Sequence, residues 1–89
     1  MIEARVEIIN RLGLHARAAA KLVDCAARFS SRIKVGKENH LVDAKSIMAV
    51  MMLAAGQGTQ LQIIVDGPDE LHALDALTQL IADRFGEPD

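Results

Sequence analysis

Hydrophobic and polar positions change their period several times along the chain. Residues 2–9 alternate, with Ile2, Ala4, Val6 and Ile8 on one face and Glu3, Arg5 and Glu7 on the other, the period of a strand covered on one side. Gly13 interrupts the alternation. Over residues 16–29 the spacing becomes helical, with Ala19, Leu22, Val23 and Ala26 at i, i+3, i+4 and i+7. Ile33 and Val35 alternate with Arg32 and Lys34 in a second strand; residues 36–39 are turn-like, and Leu41-Val42 gives a brief third strand. A helix is predicted from Ser46 to residue 55, closed by Gly56 near the C′ position, with Val50, Leu53 and Ala54 facing the core. Leu61, Ile63 and Val65 mark a fourth strand. Gly67-Pro68-Asp69-Glu70 starts a last helix, with Pro68 at its first position and a buried stripe of Leu71, Leu74, Leu77 or Thr78, Ile81 and Phe85. Arg84 and Gly86 suit its end, and Glu87-Pro88-Asp89 reads as a loose tail.

Strand, helix, strand, strand, helix, strand, helix, each with one apolar face, predicts an α+β fold in which helices cover one side of an antiparallel sheet. Its 89 residues allow one domain spanning 1–89, without linkers or repeats. Phe29 and Phe85 are the only aromatic residues, so the core is aliphatic. With a net charge of −2 and neither Trp nor Tyr, the chain lacks the basic footprint and stacking platforms of a nucleic-acid binder. One cysteine, Cys25, rules out an internal disulfide and suits a reducing compartment. No stretch is long and apolar enough for membrane insertion and Met1-Ile2-Glu3 does not open a secretory leader, so a cytoplasmic location is expected.

The chemistry concentrates at His15, where the first loop becomes the first helix. Unpaired amides at a helix start, here those of Ala16 and Arg17, attract anions. The same positive end favours neutral, nucleophilic imidazole. Arg17 can offer a planar fork to phosphate oxygens, and Gly13 permits a backbone geometry that exposes the ring. Phosphoryl transfer needs chiefly an in-line nucleophile and charge stabilisation, so this set suffices with no metal or cofactor. The competing reading is a structural histidine at a helix cap, which is how His40 (turn or strand edge) and His72 (helix surface) are read. No His or Cys spacing suggests a metal site. Cys25, within an Ala-rich helix, reads as a small packed side chain.

The segment following Ser46 is apolar almost all round. Besides its core stripe it carries a second one of Ile47, Met48 and Met51, which a domain this small cannot easily enclose. Core packing of part of that stripe and an adaptable docking surface both satisfy the pattern. Ser46 suits an N-cap, and equally a phosphorylation site whose charge would lie beside the apolar patch, with Lys45 available to compensate it.

Together, Gly13-Leu14-His15-Ala16-Arg17 and Lys45-Ser46-Ile47-Met48, with Gly56-Gln57-Gly58-Thr59 ahead of the fourth strand, resemble the HPr family of the bacterial phosphoenolpyruvate-dependent phosphotransferase system. The similarity runs from residue 2 to about residue 85. It implies an open-faced β-sandwich with sheet order 1-4-2-3 and three helices. It also implies phosphorylation of His15 on Nδ1 by an enzyme I, contact of Arg17 with the phosphoryl group, and transfer to IIA-type proteins. Docking would use Ala20, Ile47, Met48 and Met51, and Ser46 would be the regulatory site, the target of an HPr kinase/phosphorylase. Many relatives have Pro after the Arg where this chain has Ala18, and some have Asn before the Gly where it has Leu12. Sugar-branch members line both helices with lysines; here the first has Lys21, Arg28 and Asp24, and the second only Lys45 at its start. In that respect the chain looks closer to the nitrogen-related branch. A carrier with one docking face is expected to be a monomer. The alternative to a carrier is a binding module switched at Ser46.

Overall fold

Rows of aliphatic side chains running across four strands hold the sheet to its helices. In the computed structural model, which describes residues 1–89, the elements are β1 (Ile2–Glu7), α1 (Ala16–Ala27), β2 (Arg32–Lys37), β3 (His40–Asp43), α2 (Ile47–Met52), β4 (Gln60–Asp66) and α3 (Glu70–Ala82). All strand pairs are antiparallel, in the order β1-β4-β2-β3. The register lines up Ile2, Val65 and Ile33 in one row, and Ala4, Ile63 and Val35 in the next. Because side chains alternate faces, those residues point at the helices, while Glu3, Arg5, Lys34 and Gln62 occupy the opposite, open face. From the helical layer Leu22, Val50, Leu77 and Ile81 complete the core, all fully buried. None of the helices is long and apolar enough to cross a membrane.

Several boundaries differ from the sequence expectation. Helix α1 ends at Ala27, and the Lys45 ammonium donates to the Phe29 carbonyl at 2.7 Å just beyond it. That bond ties up the cation expected to compensate charge on Ser46. Helix α2 stops at Met52 because Leu53 and Ala55 must both enter the core. The reversal falls on Ala54, at φ 52°, rather than on Gly56, and leaves Ala54 exposed. At α3, Pro68 precedes the N-cap Asp69 instead of opening the helix. The buried stripe is Ala73, Leu77 and Ile81, with Leu71 72% exposed. Small Ala73 allows the helix close to the sheet.

Asp69 caps nothing in its own helix. Its carboxylate reaches across to the segment after α1, accepting from the Ser30 amide and hydroxyl at 2.9 and 3.2 Å, the Ser31 amide at 3.0 Å and the Ser31 hydroxyl. These four donors, the Ser31 hydroxyl foremost, hold the carboxyl down from 3.8 to about 2.

The turn Arg84–Gly86 after α3 is left-handed throughout, with φ of 56°, 54° and 77° at Arg84, Phe85 and Gly86. For two non-glycine residues this geometry costs about 2–4 kcal/mol. Full burial of the Phe85 ring offsets about 1.5–3 kcal/mol of it. Lys21 Nζ, donating to the Phe85 carbonyl at 2.6 Å, fixes the turn further. The chain beyond Phe85 is thereby thrown back towards the start of α1.

Two outcomes test this account. A carboxylate whose pKa is depressed by folding contributes stability above its unfolded value, and that contribution disappears as pH falls. The urea midpoint of the wild type should therefore drop as pH goes from about 3.8 towards 2, and its advantage over Asp69→Ala should shrink across the same window. Gly13, at φ 66°, lies so close to the chain after α2 that a Cβ would stand 2.6 Å from the Ala55 oxygen and 2.7 Å from the Gly56 Cα. Gly13→Ala should cost about 1–3 kcal/mol, measured by urea unfolding.

Candidate functional site

The loop between β1 and α1 is shaped by backbone contacts. Leu14, buried beneath the loop, donates its amide to the Ala55 carbonyl at 2.8 Å, and the Gly13 amide donates to the Asn10 carbonyl at 3.1 Å. His15 follows as the N-cap of α1, with extended φ −70° and ψ 177°. Its side chain makes no capping bond, so the helix start stays open: the amides of Ala16, Arg17 and Ala18 have no acceptor in the protein. The His15 side chain is 29% exposed, neither interred nor wholly in solvent. Arg17 is exposed and forms no ion pair or side-chain hydrogen bond. Leu12, His15, Ala16 and Arg17 line one open cleft of about 490 Å³, so the three polar features expected at the helix start do share a space.

The opposite wall of the cleft comes from the tail expected to be loose. Glu87 is half-buried; its Oε1 accepts from Asn10 Nδ2 at 3.0 Å, and its Oε2 meets His15 Nε2. Asn10 is fully buried and donates the same amide nitrogen to the Gly13 carbonyl at 2.8 Å, leaving its Oδ1 without a partner. The Arg11 amide donates to the Asp89 carbonyl at 2.8 Å, pinning the end of the tail along the loop. The Glu87 carboxyl is held below the usual carboxylate range, chiefly by the Asn10 bond and, against partial desolvation, by His15. Sequence reasoning missed Asn10 and Glu87. Neither belongs to a periodic pattern, and the left-handed turn that returns Glu87 contains only one glycine.

The second candidate segment forms a surface beside α1, against which α2 packs. Ser46 is the N-cap of α2, its hydroxyl accepting from the Ala49 amide at 3.4 Å. The apolar stripe faces outwards: Ile47, Met48 and Met51 are 37%, 67% and 41% exposed, and Met52, which the sequence reading left out, is 80% exposed. Ala20 is exposed on α1. Cys25 is buried, and that burial pushes its thiol up. His40 opens β3 and His72 lies on α3, both exposed and outside the cleft.

Known proteins resemble this chain in sequence and fold. Residues 2–83 match the family model described as "PTS HPr component phosphorylation site". The phosphocarrier protein HPr of Cupriavidus necator is 56% identical over 87 residues, 98% of either chain. That of Pseudomonas aeruginosa is 55% identical over 83 residues, 92% of either chain. A crystal structure of HPr from Thermoanaerobacter tengcongensis superposes with a TM-score of 0.96 at 47% identity, covering both chains completely. Fold and sequence agree, and the chain belongs to the HPr family of phosphocarriers of the phosphotransferase system.

Proposed function

We propose that this chain accepts a phosphoryl group, originating in phosphoenolpyruvate and delivered by an enzyme I, on His15 and passes it to a IIA-type protein. The observation that carries this reading is the partly exposed ring at an open helix start, with the unpaired Arg17 guanidinium in the same cleft. A ring nitrogen attacks phosphorus in line as the bond to the donor breaks, and the bonding pair leaves with the donor. The amides of Ala16 and Arg17 and the Arg17 guanidinium face the phosphoryl oxygens, where they stabilise charge without trapping the group.

Partners dock, in this reading, on Ala20, Ile47, Met48 and Met51, extended by Met52. Exposed thioethers adapt to differently shaped surfaces, as a carrier with successive partners requires. Cations are few along the two helices: α1 carries Arg17 and Lys21, Arg28 at its end pairs with Asp24 at 3.0 Å, and α2 has only Lys45 ahead of its start. The docking face is thus apolar rather than strongly cationic, which favours the nitrogen-related branch over the sugar-uptake branch. The carrier works as a monomer in the cytoplasm. Ser46 supports a second, regulatory role: half-buried at the N-cap of α2, it would be the target of an HPr kinase/phosphorylase, and a phosphate there would set negative charge against the apolar face.

Incubation with phosphoenolpyruvate and enzyme I should add one acid-labile phosphoryl group, and His15→Ala should abolish it; label persisting in that variant would remove the proposal. Arg17→Ala should slow transfer roughly 10- to 100-fold, the worth of one charge-assisted hydrogen bond, with an unchanged urea midpoint because the side chain holds nothing in place. Sugar-type and nitrogen-type enzyme I preparations, compared by initial rate, decide the branch. A slower reaction with the nitrogen-type enzyme would reverse the assignment.

A further inference from the structure

We infer that Glu87 is a positioning residue for His15, holding the ring in the tautomer that carries its proton on Nε2 and presents a bare lone pair on Nδ1. The inference rests on the phosphocarrier reading above for its function, but its geometry stands independently of any partner. A neutral imidazole exchanges one proton between two nitrogens, and only the unprotonated nitrogen can attack phosphorus. Glu87 Oε2 lies on Nε2. The carboxyl is held below the usual carboxylate range, so it is an acceptor and Nε2 must be the donor. No protein group bonds to Nδ1.

The carboxylate is itself held. Its other oxygen accepts from the buried Asn10 amide, which also grips the Gly13 carbonyl, and the Asp89 carbonyl takes the Arg11 amide two residues further on. Asn10 therefore ties the ring's partner to the loop that carries the ring. A carboxylate fixed by a second donor is the arrangement by which other proteins select an imidazole tautomer for metal binding or acid-base work. Here the selected nitrogen would take phosphorus.

The Nδ1 lone pair forms the N–P bond while the donor's bond to phosphorus breaks and its pair leaves with the donor. The Nε2 proton stays where it is. The ring then bears a formal positive charge, which the Glu87 carboxylate faces directly. On delivery to an acceptor, the N–P bond breaks and its pair returns to Nδ1, restoring the starting tautomer. The proton never needs to move, and Glu87 need not let go.

Long-range nitrogen–proton correlation NMR on the 15N-labelled, unphosphorylated protein, above the range in which histidine titrates, reads the tautomer without any partner. His15 should show a protonated-type Nε2 and a bare-type Nδ1, more completely than the exposed His40 and His72 in the same spectrum. Glu87→Ala should relax His15 to the mixture those two rings show. It should also lower the rate constant for phosphoryl acceptance about tenfold, with unchanged KM for enzyme I. Glu87→Gln, which keeps an acceptor oxygen without the charge, should retain the tautomer and recover only part of the rate. A chain ending at Gly86 should behave as Glu87→Ala, since Phe85 and the core are retained. The inference is overturned if wild-type His15 matches the reference rings or carries its proton on Nδ1, or if Glu87→Ala changes neither tautomer nor rate. If the tautomer is as stated and no phosphoryl group is ever accepted, the carrier reading fails and the positioning of the ring stands.

Discussion

The arrangement depends on the contact between Gly13 with Leu14 and the chain that leaves α2. With no room for a side chain between Gly13 and the backbone of Ala55 and Gly56, the two segments meet at van der Waals distance, and the Leu14 amide closes the contact on Ala55. Two stretches separated by some forty positions in sequence are thus joined through main chain alone. One carries the His15 ring and the other begins as the thioether-rich helix. Since neither side of the junction involves a flexible side chain, the His15 ring and the exposed apolar face of α2 keep a fixed relation. A carrier that meets partners briefly has little time for rearrangement, and this junction spares it the need.

Much of the architecture was legible in the alternation of polar and apolar residues. The four strands and the helical face of Leu22 and Ala26 follow from periodicity, whereas periodicity left the stripe of Ile47, Met48 and Met51 open between core and surface, and the structure turns it outwards. The helix terminus beside His15 was legible because Gly13 and the switch of period at residue 16 fall on either side of it. What was not legible depended on where a backbone turns for tertiary reasons. Ala54 adopts a conformation normally left to glycine, since Leu53 and Ala55 are both drawn inwards, and no local rule foretells that. Leu71 belongs to the periodic stripe by spacing and to the surface in fact, the rotation of α3 being set by Asp69 on Ser30 and Ser31. Glu87 looked like a tail residue because the features that fold it back, a buried Phe85 in left-handed geometry and an Asn10 far away in sequence, leave no mark on its neighbours.

Charge is used sparingly and locally. The strongest carboxylate anchor, Asp69, is satisfied by neutral hydroxyls and amides, and the two lysines nearest the helical layer are spent on carbonyls. Arg17 is left uncommitted in the cleft, where the second guanidinium, that of Arg11, reaches Asp89 at 3.9 Å. On the function proposed above, recognition through shape and apolar contact, with cationic help confined to the reacting end, would set this face apart from one that attracts acidic partners over long range.

Closure of the hydrophobic interior at Phe85 has a consequence for how such a molecule diversifies. Everything after that ring is held by hydrogen bonds and charge, and contributes nothing to the aliphatic packing. If Glu87 positions the ring as inferred, changes at residues 87–89 alter the speed of transfer while leaving the aliphatic interior as it is, at the cost of the few hydrogen bonds that hold this segment.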